Sequence, residues 1–405
     1  MIKYILIIKI IVRLRKMIIK PKVKSFICTT AHPKGCAENV KRQIAYVREN
    51  AKIPNGPKNV LVIGCSTGYG LASRISTAFG AGANTIGIMF EKLPTERRTA
   101  TAGYYNTLAF DEEAAASGLY SKSINGDAFS QQIKQQVIDL IKKDLGKIDL
   151  LVYSIAAPRR TDKSGTTYQS VLKTVGKEFK NKNWDLQHNT ITDACIEPGT
   201  EEEIFATIKV MGGEDWKEWI TVLDEAGVLA DNAKTIAYSY IGPKLTYPIY
   251  HDGTIGQAKK HLAETAKEIT AEFSKTGVKA YVSVNKGLVT QASSAIPIVP
   301  LYISLLYKVM KEKGVHEGCI EQMARLYKDR VYNPAGVQTE KDGLIHVDDL
   351  EMRDDVQDEV QKNWAIISSE NFSELADTEG YWDDFYKMFG FHFDNVDYEE
   401  DIPLV

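Results

Sequence analysis

The chain has 405 residues, 44% of them apolar, with 50 basic and 53 acidic side chains and a formal net charge of −3. That suffices for two or three ordinary domains or one large α/β domain with insertions. The near-balance of charge offers no basic field to nucleic acid, and no zinc-finger or RNA-binding signature occurs.

The first 24 residues are an exception to that balance. Lys3, Lys9, Arg13, Arg15, Lys16, Lys20, Lys22 and Lys24 alternate with apolar residues and no acid occurs. Charge interrupts the apolar runs before they reach the ~20 residues a bilayer span needs, and no small-residue cleavage site follows. Residues 1–16 then read either as a basic organelle presequence, although serine is absent, or as an upstream extension before a start at Met17, which is the reading preferred here. Five thinly spread cysteines, an odd number, indicate a reducing compartment and hence the cytoplasm. Cys28-x3-His32-x3-Cys36 and His316-x2-Cys319 lack common structural-zinc spacings, so no metal is expected.

The stretch Asn59–Gly70 runs from an apolar strand through Gly64-Cys65-Ser66-Thr67-Gly68-Tyr69-Gly70 into a helix expected over Leu71–Phe79. Glycines allow a tight turn and a close approach of backbone to phosphate, while the helix start offers unpaired N–H groups and the positive end of its dipole. Glu91 closes the next apolar strand, Thr85–Phe90, about 20 residues on, where a carboxylate reaches an adenosine ribose. Strand, turn, helix and acid together read as a dinucleotide site; a tight turn with a structural Glu91 is the plainer alternative. The glycine spacing departs from G-x-G-x-x-G, and Cys65 reads as a small packed side chain.

Further on, Leu119–Ile124 reads as a strand, Gln131–Leu145 as a helix and Ile148–Ser154 as a strand. Near-continuous apolar strands alternating with helices indicate a doubly wound parallel sheet covered on both faces. Asp127-Ala128 and Ser154-Ile155-Ala156 follow strand ends, on the rim expected to hold adenine and ribose. From Arg159 to about Lys234 the alternation breaks, and a lid insertion over 159–234 is expected, with a helix over Glu201–Val210. Trp216 and Trp219, three apart, share one helix face and read as core. The pattern resumes at Thr235–Tyr240, followed by a long helix over Gly253–Lys275, a strand over Val278–Val284 and an apolar helix over Ile296–Lys313. Beyond Val331 the chain turns acidic, with Trp364, Tyr381, Trp382 and Phe385 marking where residues 331–405 pack back.

Tyr250 precedes the Gly253–Lys275 helix, and Lys259 lies nine residues later, roughly two turns into it, so phenol and ammonium are expected to meet. In reductases of this architecture the phenol hydrogen-bonds a substrate carbonyl, and the ammonium orients the nicotinamide ribose and favours phenolate character. Among 20 tyrosines, a Tyr-x8-Lys pair also arises without function.

The Gly64–Gly70 turn, Phe90-Glu91, Gly126-Asp127-Ala128, Tyr238-Ser239-Tyr240-Ile241-Gly242, Tyr250-x8-Lys259 and Ser283–Thr290 together resemble the trans-2-enoyl-CoA reductases and their close relatives, the FabV-type enoyl-ACP reductases. Met211–Trp216 and Lys311–Glu317 match the family's run as well, and the likeness extends from about Met17 to the C-terminus. The resemblance implies an extended short-chain-reductase fold, one large Rossmann-type domain over 17–405 with a small lid. It implies NADH-dependent reduction of the 2,3-double bond of an enoyl-CoA or enoyl-ACP, in fatty-acid synthesis or butyrate-type fermentation, by a monomer. Carried over by position, Gly64, Cys65, Ser66, Thr67, Gly68, Tyr69, Phe90, Glu91, Asp127, Ala128, Ile155, Ala156, Lys259, Leu288, Val289 and Thr290 hold the cofactor. Tyr240 contacts substrate, sharing the thioester oxygen or walling the acyl tunnel, and Tyr250 is the proton donor. A ketoreductase or alcohol dehydrogenase of short-chain type, which would use a Tyr-x3-Lys spacing, and a non-catalytic NADH sensor are the alternatives.

Overall fold

The computed structural model describes residues 16–403, Ser25 and Ala292 excepted. Residues 1–15, on which most of the presequence or extension reading falls, lie outside the described residues. At the centre stand seven strands: β1 (Asn59–Ile63), β2 (Asn84–Met89), β3 (Ser121–Asn125), β4 (Ile148–Tyr153), β5 (Leu229–Ser239), β6 (Lys279–Val284) and β7 (Ile345–His346). Their order is β7-β6-β5-β4-β1-β2-β3, and every pairing is parallel. This is a doubly wound sheet of Rossmann type, whose order reverses between β1 and β4.

The period of two along each strand divides the apolar residues between the two faces. Val60 and Val62 of β1 join Leu150 and Val152 of β4 in one core, while Leu61 and Ile63 join Leu151 and Tyr153 in the other. With helices on both sides the inner strands β1, β2 and β4 keep no polar face, which is why they are near-continuous apolar runs, whereas the edge strand β3 is polar and partly exposed. The helix after β1 begins earlier than expected, at Gly68, and runs to Ile75 before widening into a π-helical turn over Ser76–Gly80. There the Thr77 hydroxyl donates to the carbonyls of Ser73 (2.9 Å) and Arg74 (3.2 Å), competing with the regular ladder.

The interruption between β4 and β5 differs from a single lid over 159–234. It begins with two antiparallel hairpins, Arg159–Thr161 with Thr167–Gln169 and Phe179–Asp185 with Thr190–Ile196, then a helix over Glu201–Met211. The next helix, Glu214–Glu225, is the crossover of the sheet itself. Its Trp216 and Trp219 are wholly buried in the sheet core, their indole N–H groups donating to Thr235 Oγ1 (2.7 Å) and the Ala128 carbonyl (3.2 Å). β5 starts at Leu229, six residues before the expected strand, because a register shift between Leu229 and Lys234, with Asn232 at φ 59°, disguises its first half.

A third core forms away from the sheet, around the helix Val299–Glu312 and the C-terminal helices Asp354–Ile366 and Thr378–Lys387. The Phe179–Ile196 hairpin is stapled into it. Trp184 packs edge-on against Phe372 and Tyr381, both at 5.0 Å between ring centres. Lys182 Nζ donates to the carbonyls of Trp364 (2.9 Å), Ala365 and Ile367 (both 3.0 Å), capping the end of the 354–366 helix with a positive charge. Strand Ile402–Pro403 pairs antiparallel with Lys16–Met17, so the end of the chain returns to its described start. Among the described residues no helix is long and apolar enough to cross a membrane.

Because Trp184 joins hairpin and C-terminal segment, Trp184→Ala should lower the unfolding free energy by about 3–5 kcal/mol, the usual cost of a buried tryptophan. Urea denaturation measures it; a loss below about 1 kcal/mol would show that the hairpin is held by other contacts.

Candidate active site

Parallel strands send all their C-terminal ends to one rim. Gly64 follows β1, Phe90 and Glu91 follow β2, Asp127 and Ala128 lie past β3, Ile155 and Ala156 past β4, Tyr240 past β5, and Leu288 to Thr290 past β6. Residues scattered along most of the sequence are thereby gathered around the point where the strand order reverses.

The backbone is tightest at Gly64. It has φ +83°, and a Cβ there would lie 2.1 Å from the Ser154 carbonyl oxygen on the neighbouring β4. A Cβ on Gly70 would meet the Gly64 carbonyl oxygen at 1.8 Å. Only glycine lets turn, helix and β4 close up in this way. The helix that follows has no side-chain cap and no acid in its first turn, so the N–H groups and dipole at its start are free for an anion. The residues present therefore fit the pyrophosphate of a dinucleotide.

Glu91 is drawn towards this turn. Ser66 Oγ donates to its Oε1 (2.6 Å), Thr101 Oγ1 donates to its Oε2, and its backbone exchanges hydrogen bonds with the Asn125 side chain (2.8 and 2.9 Å). Asp127 Oδ1 accepts from the Phe129 N–H (3.0 Å), shaping the next loop, and Phe90 is 77% exposed beside the carboxylate, a free aromatic face. Cys65 is buried 3.8 Å from the Arg74 guanidinium, and burial pushes its thiol up to about 11, so it packs as a neutral thiol rather than serving as a nucleophile. The Tyr69 hydroxyl donates to the Lys286 carbonyl (2.7 Å), with Gln322 Oε1 also within 3.2 Å of it, tying turn to β6 loop. Val289 N–H donates to the Tyr307 hydroxyl (3.2 Å), and Thr290 N–H to Ser293 Oγ (2.9 Å).

The substrate side differs from expectation in one respect. Tyr250 and Lys259 form no hydrogen bond with each other; Lys259 Nζ instead donates to the Tyr238 carbonyl at the end of β5 (2.8 Å). The reason lies in the turn His251–Gly253, which separates the short helix Tyr247–Tyr250 from the helix Thr254–Glu272 and breaks the helical phase between the two residues. Tyr250 packs at right angles to Tyr240, ring centres 4.6 Å apart. Among the described residues its hydroxyl has no hydrogen-bond partner. Burial pushes the Tyr250 phenol well above its ordinary range, with Glu351 and Tyr381 adding to the effect, so it stays protonated and is not driven to a phenolate. Burial lowers Lys259 to about 8. Lys260, next to it, is exposed.

Three residues without an assigned role also converge here. Tyr240 donates to Glu351 Oε1 (2.9 Å), as does Tyr302 (2.7 Å), and Lys286 lies buried alongside, lowered by burial to about 8. Lys286 stands within the Ser283–Thr290 run but nothing there marks it apart, and Glu351 is one acid among many in its segment. Of the residues weighed for zinc, His32 Nδ1 accepts from the Gly35 N–H (3.2 Å), capping the helix Pro33–Asn50, and His316 packs edge-on to Tyr307 at 4.4 Å. Among the described residues, the metal-type ligands that converge are Glu178, Cys195 and Glu197, all exposed.

Comparison with known proteins agrees with this geometry. Residues 18–96 match the model described as the NAD(P)H binding domain of trans-2-enoyl-CoA reductase, residues 98–332 the trans-2-enoyl-CoA reductase catalytic region, and residues 339–402 an enoyl reductase FAD binding domain. The enoyl-[acyl-carrier-protein] reductase [NADH] of Idiomarina loihiensis is 57% identical over 387 residues, covering 95% of this chain and 98% of that protein; its counterpart in Cytophaga hutchinsonii is 55% identical with the same coverage. The crystal structure of Clostridium acetobutulicum trans-2-enoyl-CoA reductase in complex with NADH superposes with a TM-score of 0.93 at 47% identity, over 96% of this chain and 98% of that one. The Treponema denticola enzyme in complex with NAD gives 0.91 at 48% identity, with the same coverage.

A flavin dinucleotide does not fit residues 339–402. They hold 20 acidic side chains against 4 basic ones and no glycine-rich turn, which would repel rather than cradle a pyrophosphate. Their aromatic rings, including Trp364, Tyr381 and Phe385, fill the third core instead.

Lys259 lowered to about 8 is charged below that pH and neutral above it. If its ammonium binds the cofactor ribose, NADH affinity should weaken severalfold as pH rises through about 8 to 9, and Lys259→Arg, charged throughout, should flatten that limb. Titration by nucleotide fluorescence decides it: an equal fall in the arginine variant removes Lys259 as the cause.

Proposed function

The chain belongs to the trans-2-enoyl-CoA reductase family, and from that premise we propose how its own residues carry the reaction. It reduces the 2,3-double bond of trans-2-enoyl thioesters with NADH, leaving saturated acyl thioesters. NADH, when bound, supplies the hydride that reaches C3.

The observation that carries the assignment of roles is the Tyr250 hydroxyl, protonated and without a protein partner at a buried position. A phenol in that state is an acid waiting for an acceptor. As C3 gains its hydride, negative charge moves onto the thioester oxygen, and Tyr250 donates to it; the resulting enolate is then protonated at C2. A donor aimed at charge that appears only in the transition state accelerates the step, because it binds the ground-state carbonyl less well. Lys259 keeps two of its three N–H bonds free after the Tyr238 carbonyl is served, and these hold the nicotinamide ribose. Gly64 to Tyr69 hold the pyrophosphate, Phe90 and Ala128 the adenine, Glu91 the adenosine ribose, and Leu288 to Thr290 the nicotinamide end. The apolar side chains of Ile249, Leu288 and Val289 share one core with Tyr250 and exclude water from the acyl chain.

Residues 17–405 act as one reductase unit and as a monomer. The acyl chain arrives on CoA, with acyl-carrier protein as the second carrier. Kinetics with crotonyl-CoA and crotonyl-ACP measure that preference.

Tyr250→Phe should leave NADH binding nearly intact and lower turnover of crotonyl-CoA by about a hundredfold, the usual loss for one such donor. Undiminished turnover by this variant removes Tyr250 from the role. Glu91 should repel a 2′-phosphate despite the exposed Lys92, Arg97 and Arg98 nearby, so kcat/KM should favour NADH over NADPH by at least about tenfold, and Glu91→Ala should narrow the ratio. Equal kcat/KM for both cofactors in the unmodified enzyme would falsify the discrimination.

A further inference from the structure

Behind Tyr240 lies a carboxyl group that the reaction as described does not use. Glu351, in the loop after β7, is wholly buried. Its Oε1 accepts from the hydroxyls of Tyr240 (2.9 Å) and Tyr302 (2.7 Å), and its Oε2 from the Gly287 N–H (2.7 Å). The three donors come from the end of β5, the helix Val299–Glu312 and the loop after β6. Gly287 N–H can only donate, both hydroxyls have a hydrogen to give, and the positive charge of Lys286 pulls against the burial, so among the described residues the surroundings suit a carboxylate. The balancing charge is Lys286, buried next to Gly287, whose Nζ donates to the Gly287 carbonyl (3.1 Å) and lies 4.8 Å from the Tyr307 ring centre. A buried carboxylate persists only when donors and an opposite charge satisfy it in this way.

The consequence falls on Tyr240. A tyrosine hydroxyl has one hydrogen to donate. With that hydrogen on Glu351, Tyr240 presents only lone pairs to the space beside it, and it cannot share the task of donating to a thioester oxygen. Tyr250, 4.6 Å away between ring centres and unpartnered among the described residues, keeps its hydrogen. Tyr302 and Gly287 fix the position of the carboxylate.

We propose that Glu351 is a positioning residue of the reduction: anchored by Tyr302 and Gly287, it takes the hydroxyl hydrogen of Tyr240 and leaves Tyr250 as the single phenol that donates to the thioester oxygen. This rests on the role assigned to Tyr250 above. Glu351→Gln turns one acceptor oxygen into an N–H2 donor; Gly287 N–H can only donate, so the amide oxygen is kept for it and the N–H2 faces the two hydroxyls, which can no longer donate there. Glu351→Asp keeps the charge opposite Lys286, which favours folding, but withdraws the carboxylate by one methylene.

The test is steady-state kinetics on crotonyl-CoA with NADH, with NADH affinity measured separately by fluorescence, in the wild-type and Tyr240→Phe backgrounds. Each Glu351 substitution should lower kcat by about tenfold or more in the wild-type background, the size expected for losing a hydrogen bond to a charged group, with NADH affinity kept within about threefold. In the Tyr240→Phe background, where the hydroxyl to be held is gone, the same substitutions should cost less than about threefold. Wild-type kcat in Glu351→Asp, or the same fall in both backgrounds, overturns the proposal, the latter pointing to a general packing role. Tyr250→Phe run alongside separates the two levels. If it is nearly inactive while the Glu351 variants are unaffected, only the positioning role fails; if it turns over normally, the role of Tyr250 fails and this one with it.

Discussion

Parallel strands cannot be joined by tight turns, so each must be followed by a crossover that carries the chain back to the end of the sheet where strands start. That constraint governs the molecule. It commits all seven strand ends to one rim, and it leaves a crevice where the order reverses between β1 and β4, because the chains leaving those two strands diverge to opposite faces. At that crevice Gly64 lies against the Ser154 carbonyl with no space for a Cβ, and Gly70 lies against Gly64. The close approach brings the helix start to the crevice floor, and Glu91, one strand over, is held to the same turn by Ser66. Cofactor recognition is thus a property of the sheet's connectivity, to which the particular residues contribute the last few ångströms.

The substrate side obeys a different rule, in which burial moves acids and bases in opposite directions. Removing water penalises whichever form carries charge, so Tyr240 and Tyr250 rise while Lys259 and Lys286 fall to about 8. Glu351 is also raised by burial, against the pull of Lys286, Tyr302 and Gly287. Both phenols therefore hold their hydrogens, and what distinguishes them is geometry: one hydroxyl is spent on a carboxylate and the other is not. The Lys259 ammonium is turned to the Tyr238 carbonyl and not to the Tyr250 hydroxyl.

The sheet and the nucleotide crevice could be read from sequence because their physics is local. β1, β2 and β4 are buried on both faces and so consist of uninterrupted apolar residues, and the turn after β1 needs glycine for steric reasons that any sequence must obey. β5 starts six residues before its regular pattern because a register shift breaks the period of its first half, and the helix carrying Trp216 lies within the stretch where alternation breaks although its tryptophans pack in the sheet core. Glu351 was invisible for a different reason. Its neighbours Asp348 and Asp349 are equally acidic, and whether a carboxylate faces water or three donors depends on partners about 50 to 110 residues away.

That distance has a structural meaning. To the seven-stranded sheet, residues 339–402 contribute only the two-residue edge strand β7, and their aromatic rings fill a core that the helix Val299–Glu312 alone could not close. Until this segment docks, Tyr240, Tyr302 and Gly287 lack the acceptor they share, and Lys286 lacks its countercharge. Docking buries Trp364, Tyr381 and Phe385, and apolar burial on that scale can offset the desolvation of Glu351 and Lys286, which neither charge could offset alone. Residues 339–402 therefore complete the polar cluster beside Tyr250. One segment thus closes the third core with its aromatic rings and supplies, through Glu351, the acceptor of that cluster.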